Sequence, residues 1–217
     1  MQSLALTNLV ADYGKERVLG PLDLELVPGE HVALVGKSGA GKSTLLGLMH
    51  QRWRSRGVAL MPQDLGLVPS LSVFHNVFMG ALARRASWYN LVSLIKPFRR
   101  DIQTIMPLLE QLDIADKCWT PTGELSGGQR QRVAAARAIY QGSHLLLADE
   151  PASALDGPMA ERVMRALTEA HPTAVLALHD IDLALRFSTR VVGIADGQIA
   201  LDQPSDRVTS QDLAALY

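Results

Sequence analysis

Gly36-Lys37-Ser38-Gly39-Ala40-Gly41-Lys42-Ser43 is the stretch on which the reading of this chain turns. Glycines at its first and sixth positions are followed by lysine and a hydroxyl residue, the spacing of a phosphate-binding loop. The apolar residues 31–35 precede it and read as a buried strand, and Thr44-Leu45-Leu46-Gly47-Leu48-Met49 follows and reads as a helix. Strand, glycine-rich loop and helix is the context this motif needs. Glycine lets the backbone curl until successive N–H groups point inward and form an anion nest. A helix starting near Gly41 adds unpaired N–H groups and the positive end of its dipole. In such a loop Lys42 reaches the β- and γ-phosphates of a nucleotide, and the Ser43 hydroxyl sits on Mg2+. The plain alternative is a glycine-rich turn that binds nothing. From average composition the spacing arises by chance in on the order of one per cent of chains this long, and the flanking strand and helix make chance a weaker explanation still.

The whole chain is consistent with this beginning. Its 217 residues carry a formal net charge of −1, with 47% hydrophobic and 20% charged residues. That suits one α/β domain, or one domain with an inserted subdomain, around a sizeable core. No global basic excess points to nucleic acid. Cys118 is the single cysteine, so no internal disulfide forms, and a passive thiol is its simplest reading. No run is long and apolar enough to cross a bilayer. Residues 1–10 lack a basic leader pattern, so no targeting segment is expected.

Along the chain, Leu4, Leu6, Leu9 and Val10 suggest a first strand. Leu22-Asp23-Leu24-Glu25-Leu26 alternates as a half-buried antiparallel strand does. Residues 57–61 read as a strand closed by Pro62-Gln63-Asp64. From about 69 to 122 the strand signals stop and helical spacing takes over, as in Ile102, Ile105, Leu108, Leu109 and Leu112. This predicts a helical insert, so that 1–68 and 123–217 make the core and 69–122 a helical subdomain. Then α/β alternation returns: helix 127–140, strand 144–148, helix 158–170 opened by Pro158, strand 173–178, helix 180–187 and strand 190–194. Asp196-Gly197 reads as a hairpin turn into 198–201, and 209–217 reads as a short helix.

The insert has an unusual charge pattern. Between residues 65 and 100 there is no Asp or Glu, but there are Arg84, Arg85, Lys96, Arg99 and Arg100, with Trp88, Tyr89 and Phe98 among them. A solvated basic face explains this. A surface facing lipid head groups or a membrane partner explains it as well.

Two further stretches carry chemistry. His144-Leu145-Leu146-Leu147-Ala148-Asp149-Glu150 is an apolar strand ending in two acids. At the carboxyl end of a strand in such a sheet, carboxylates lie beside the phosphate loop. Asp149 can then serve the Mg2+ shell, and Glu150 can polarise an attacking water. Leu125-Ser126-Gly127-Gly128-Gln129 opens a helix. That pentapeptide arises by chance in on the order of one chain in a few thousand of this length. Its Ser and Gly residues offer a second helix start suited to an anion, and an ordinary Ser-Gly cap does not explain all five residues.

Together these words resemble the ATP-binding cassette (ABC) ATPases over nearly the whole sequence. Residues 36–43 resemble the Walker A loop, with Thr44 next to it. Gln63 is similar to the Q-loop glutamine that touches Mg2+ and couples to a transporter. Residues 125–129 match the family signature, and Asp149 and Glu150 match Walker B and the catalytic glutamate. Ser153-Ala154-Leu155-Asp156 is similar to the D-loop. His179, after an apolar strand, is similar to the switch histidine. Tyr13 stands where an aromatic residue stacks on adenine.

The resemblance implies a P-loop cassette of the α/β class: a mainly parallel core sheet, a small antiparallel β subdomain and an inserted helical subdomain. It implies an ATPase using ATP and Mg2+, with Lys42, Glu150 and His179 as catalytic residues. Gly36, Lys37, Ser38, Gly39, Ala40, Gly41, Ser43 and Thr44 would bind nucleotide, as would Gln63, Ser126, Gly127, Gly128 and Gln129. Two cassettes would pair head to tail, the signature of one capping ATP on the other. Partners would be separate permease subunits at the cytoplasmic face of the membrane, and for an importer a periplasmic solute-binding protein; no nucleic acid is expected. Leu71-Ser72-Val73-Phe74-His75-Asn76-Val77, the long insert with Trp88, and residues 208–217 are similar to phosphonate-type importer ATPases. An exporter or lipid-extraction motor, a soluble ABC ATPase acting on DNA or ribosomes, and an Fe–S assembly ATPase stay open as alternatives. One departure is plain: between Ser43 and Gln63 most relatives carry a longer segment with extra antiparallel strands, so a small antiparallel part is expected here.

Overall fold

The computed structural model describes residues 3–14, 16–214 and 216, with the side chains of Tyr13, Glu16, Ser210 and Ala214 outside the described set. In chain order the elements are β1 (Leu4–Tyr13), β2 (Glu16–Leu26), β3 (His31–Val35), α1 (Lys42–Trp53), β4 (Ala59–Met61), α2 (Val73–Phe78), α3 (Ser87–Ile95) and α4 (Arg99–Gln111). Then come α5 (Gly127–Gln141), β5 (Leu145–Asp149), α6 (Gly157–Ala170), β6 (Thr173–Ala177), α7 (Ile181–Phe187), β7 (Arg190–Ala195), β8 (Gln198–Pro204) and α8 (Ser210–Ala214). The chain forms two units. The first holds Met1–Gln63, His144–Pro151 and His171–Tyr217, and the second Asp64–Ser143 and Ala152–Ala170.

The first unit is built on a six-stranded sheet of order β4-β5-β6-β3-β7-β8. Its first five strands are parallel, and only the edge strand β8 runs antiparallel to β7. Every residue of β5 and β6 is buried, which is why these strands read as unbroken apolar runs rather than as alternation. The turn into β8 is the one expected: Asp196 and Gly197 both have positive φ, 50° and 73°, the geometry of a type I′ hairpin. At Gly197 a Cβ would lie 2.6 Å from the Val18 carbonyl oxygen, so glycine is required there by space as well as by φ.

β1 and β2 form a separate antiparallel pair. The alternation predicted over 22–26 is its core face, with Leu22, Leu24 and Leu26 buried along with Leu4 and Leu6. Pairing carries β2 back to Glu16, beyond the alternating stretch. α1 packs against β2, β5 and β6 through Leu45, Leu46, Met49 and Trp53, all buried; each such side chain contributes about 1.5–3 kcal/mol of burial. This fixes the start of α1 at the mouth of the phosphate loop. Between α1 and β4 the chain makes only a 3-10 turn, Arg54–Arg56, so the short antiparallel part is confined to β1 and β2.

The second unit is helical. α2 packs on α4 and α5, and α5 on α6. α6 buries Ala160, Val163, Met164 and Leu167, one stripe at helical spacing. Asn76, fully buried, is a polar peg. Its amide oxygen accepts from Val68 N at 2.8 Å, and its nitrogen donates to the carbonyls of Val68, Leu71 and Ser72 at 3.1 Å.

The basic stretch of the insert divides here. Arg85 is not on a solvated face. Its guanidinium donates to Asp101 Oδ1 at 2.7 Å and to the Tyr140 hydroxyl at 2.7 Å, and lies 5.0 Å from the ring centroids of Phe78 and Tyr89. Asp101 is 1% exposed and also accepts from the Tyr89 hydroxyl at 2.7 Å. The cation is held inside the unit by a buried carboxylate and aromatic faces. Arg84, Lys96, Arg99 and Arg100 remain exposed.

Candidate functional site

In the first unit the strand order brings the carboxyl ends of β5, β6 and β3 side by side. The residues that follow those ends are Glu150, His179 and the loop 36–41. This juxtaposition at the carboxyl edge of a parallel sheet is where open α/β folds bind ligands.

The loop's glycines are there for backbone reasons. Gly36 has φ 138°, and a Cβ would stand 2.2 Å from the Ile194 carbonyl oxygen. Gly41 has φ 104° and closes on Leu19. It is the N-cap of α1, with no side-chain cap and no acid in the first turn. A helix start without its own cap leaves donors for an anion. Lys42 is 6% exposed, and its ammonium donates to the carbonyls of Gly36 at 2.6 Å and Lys37 at 2.9 Å. Burial pulls its pKa below the ordinary lysine range, while Glu150 and Asp149 partly oppose that pull. Lys37, Ser38, Gly39 and Ser43 are exposed, and Ala40 and Thr44 half-buried.

Asp149 ends β5 and is 6% exposed. Glu150 follows with φ 52°, a left-handed backbone that side-chain-bearing residues seldom adopt and that clusters at functional sites. Its N–H donates to the Ala177 carbonyl at 3.0 Å, so the strained turn is anchored to β6. Glu150 Oε1 lies 2.8 Å from His179 Nε2. His179 is set in place from behind: Leu178 N donates to the Leu34 carbonyl at 3.0 Å, and Asp180 caps α7 by accepting from Leu183 N at 3.0 Å. Gln63 is exposed, two residues beyond β4. Tyr13 ends β1, and its side chain lies outside the described set.

A cleft of about 700 Å³ lies beside the loop, lined by Arg17, Val18, Ser38, Ala40, Asp196 and Gly197 among others. Sequence reasoning passed over Arg17 and Val18. They belong to the part of β2 outside the alternating stretch, and its contacts with the 196–197 turn, where Gly20 N donates to the Gly197 carbonyl at 2.7 Å, bring them here. Among the described residues no group of three or more His, Cys, Asp or Glu could hold a metal. The oxygen donors of Asp149, Ser43 and Gln63 are the kind Mg2+ takes in ones and twos while keeping waters and substrate phosphates as its other ligands.

In the second unit the pentapeptide is a built helix start. Ser126 caps α5, accepting from Gln129 N at 3.3 Å, and the Gln129 side chain accepts from Ser126 N at 2.9 Å. This reciprocal capping box explains Ser126 and Gln129 locally. Gly128 serves packing, since a Cβ there would meet the Ala154 carbonyl oxygen at 2.8 Å, whereas one at Gly127 would come only within 3.7 Å of Ala154 Cβ. Gln131, which sequence reasoning missed, is 3% exposed. It donates to Ser153 Oγ at 3.2 Å and accepts from Ala154 N at 2.9 Å, tying the 153–156 loop to α5. Asp156 accepts from Met159 N at 3.1 Å and caps α6. Arg137, also missed, donates from α5 to the carbonyls of Leu65 and Gly66, the segment just after Gln63.

Comparison with known proteins agrees with this layout. Residues 19–153 match the family described as ABC transporter. A phosphonates import ATP-binding protein of Pseudomonas putida is 38% identical, covering 94% of this chain and 86% of its own. Its counterpart from Maricaulis maris is 34% identical, covering 99% and 93%. Among solved structures, a dimeric ATP-binding cassette in a post-hydrolysis state with ADP and Pi matches with a TM-score of 0.75 at 26% identity, covering 93% of this chain and 98% of its own. The chain belongs to the ABC transporter family and is an ATP-hydrolysing cassette of that family.

Proposed function

We propose that this cassette powers a membrane importer of a phosphonate or phosphonate-like solute. The observation that carries the catalytic half is the 2.8 Å contact between Glu150 and His179, at the mouth of the loop that holds Lys42. The names of the relatives, phosphonates import ATP-binding proteins at 34–39% identity, support the choice of cargo.

ATP phosphates enter the nest of loop 36–41 and the uncapped start of α1. Lys42 gives up the carbonyls of Gly36 and Lys37 for phosphate oxygens. Because burial already disfavours its lone charge, an anionic partner is strongly preferred. Asp149, Ser43 and Gln63 would hold Mg2+, which neutralises charge on the phosphates when bound. Glu150 orients the attacking water and accepts its proton; His179, held by the same carboxylate, fixes the line of attack. Catalysis is then positioning and charge stabilisation, with a general base worth about 10²–10⁴-fold. Tyr13 is assigned the stacking on adenine.

The site is completed in trans. A second copy, head to tail, places its Ser126, Gly127, Gly128 and Gln129 over the γ-phosphate, a reading supported by the dimeric cassettes of similar fold. No described helix is long and apolar enough to cross a membrane. In this reading the permease is a separate chain that holds the cassette peripherally at the cytoplasmic face. The two-part organisation proposed is a nucleotide-binding core of residues 1–68 and 123–217 and a helical subdomain of residues 69–122.

The test is co-purification of the tagged chain from membranes, followed by ATPase assays of the recovered complex. Recovery of a multi-span permease with a periplasmic binding protein, and turnover stimulated by a phosphonate, is expected. Recovery with ribosomes or DNA, or a permease indifferent to phosphonates, would overturn the importer reading while leaving the nucleotide chemistry standing.

A further inference from the structure

α3 turns its apolar face outward. Trp88, Leu91, Val92 and Ile95 stand at i, i+3, i+4 and i+7, the spacing that marks the buried stripe of a surface helix. Here they are 65%, 65%, 42% and 84% exposed. The opposite face seats the helix. Ser93 is buried, Tyr89 stacks on Phe98 with ring centroids 4.3 Å apart, and the Tyr89 hydroxyl donates to Asp101. The helix is therefore held by its polar and aromatic side, and its aliphatic stripe is left without a partner inside the unit.

The exposed charges that flank α3 in the sequence are of one sign, the nearby Asp101 being buried and paired with Arg85. Exposed Arg84 precedes α3, and exposed Lys96, Arg99 and Arg100 follow it, with no acid from residue 65 to residue 100. The chain as a whole carries −1, so this is local segregation rather than a basic protein. Arg100 and Trp88 line one shallow cleft with Tyr89, which brings cation and indole to the same rim. A tryptophan and aliphatic stripe flanked by Arg and Lys is the make-up of a helix that lies in a membrane interface, its apolar face about 5–10 Å into the head-group boundary. The cations then meet anionic head groups. A second copy of the chain is the poorer occupant, because it would bring the same cations against these.

We propose that α3 docks on the surface of an anionic lipid membrane, as a contact the cassette makes itself, independently of any permease. The proposal does not depend on the cargo or on the importer reading.

The test is co-sedimentation of the purified full chain with phosphatidylcholine vesicles, with and without phosphatidylglycerol. Each exposed cation is worth about fivefold in partitioning near such a surface, so anionic vesicles should bind at least about a hundredfold better than neutral ones, and salt should erase the difference. The double variant Leu91→Ser, Ile95→Ser should lose about tenfold or more per position. ATP hydrolysis in solution and the unfolding midpoint should be unchanged, since both side chains are already exposed. Lys96→Gln with Arg99→Gln should weaken binding to anionic vesicles only. Equal binding to both vesicle types would overturn the proposal, as would binding that ignores Leu91 and Ile95. So would vesicle binding only when a permease is present, which would make the partner a protein. Self-association abolished by the same serine variant would point to a second copy and overturn it equally.

Discussion

Replacing Arg85 by Met tests how the insert is held together. Methionine keeps the length and apolar stem but removes the cation. Asp101 is 1% exposed and would lose its 2.7 Å partner, keeping only the hydroxyls of Tyr89 at 2.7 Å and Tyr140 at 3.3 Å. Stranding a buried charge costs about 3–5 kcal/mol, and the two remaining hydroxyls place this case near the lower end, about 3 kcal/mol. For a chain of this size about 1 kcal/mol moves the midpoint by about 2–4 °C, so thermal unfolding should shift down by about 6–12 °C. Asp101→Asn should cost less, because Arg85 is 24% exposed in its side chain and can turn to water. The double variant Arg85→Met, Asp101→Asn should be clearly more stable than the sum of the single losses, with a coupling of about 1.5–3 kcal/mol. The assay is thermal and denaturant unfolding of all four proteins. A midpoint for Arg85→Met within about 2 °C of the parent, or additive losses in the double variant, would refute the buried-pair reasoning. The result also decides how the basic stretch is probed: reversing Arg85 to Glu would set a carboxylate against Asp101, and reversing Arg84 would remove its 2.7 Å bond to the Tyr140 carbonyl, so Lys96, Arg99 and Arg100 are the cations that report on docking.

Glu150→Gln should bind ATP normally but release phosphate about 10²–10⁴-fold more slowly and accumulate as a dimer in ATP; turnover within tenfold of the parent would sink the base assignment. Gly128→Ala drives a methyl into the Ala154 carbonyl oxygen and should cost about 1–3 kcal/mol, read as a lowered denaturant midpoint. Cys118 is buried, and burial pushes its thiol up to about 11; it should react with a thiol reagent at pH 8 at least about a hundredfold more slowly than in unfolded chain, and equal rates would be the contrary finding. The Tyr140 hydroxyl is pushed up to about 12 by burial and by Asp101, above its unfolded value of about 10. Its neutral form is therefore favoured by folding. That stability is full below about pH 10 and is lost as pH rises toward 12, so base unfolding should begin in that window and move with Tyr140→Phe.

What the sequence made legible is what its residues settle among near neighbours. Strand, loop and helix around residues 31–49 follow from apolar runs and glycine spacing, and the Asp196-Gly197 turn from the need for positive φ at both residues. The pairing of Glu150 with His179 could be expected only through the resemblance, since the two are 29 residues apart and meet because β5 and β6 are adjacent strands. Gln131 and Arg137 had no local signal at all. Each is a polar side chain on an amphipathic helix whose partners, Ser153 with Ala154 and Leu65 with Gly66, are chosen by tertiary packing.

The insert shows the same limit from the other side. Its charge run was legible, but composition cannot say which cation is caged inside the unit and which stays exposed. Arg85 differs from Arg84 by one position, and in the turn before α3 that step separates a residue ringed by Phe78, Tyr89 and Tyr140 from one at the surface. The stripe of α3 has the same helical period of about 3.6 residues as that of α6. Periodicity reports that one face is apolar; it does not report what that face meets. For α6 the face at 160, 163, 164 and 167 meets its own core, whereas for α3 the face at 88, 91, 92 and 95 meets none. Burying an aliphatic side chain is worth about 1.5–3 kcal/mol, and a chain that keeps three such groups and a tryptophan exposed on one turn-to-turn stripe forgoes that stabilisation in the free protein. Such a cost is retained when the surface is completed by something outside the chain, and exposed flanking cations with no exposed acid between residues 65 and 100 state the sign of its charge.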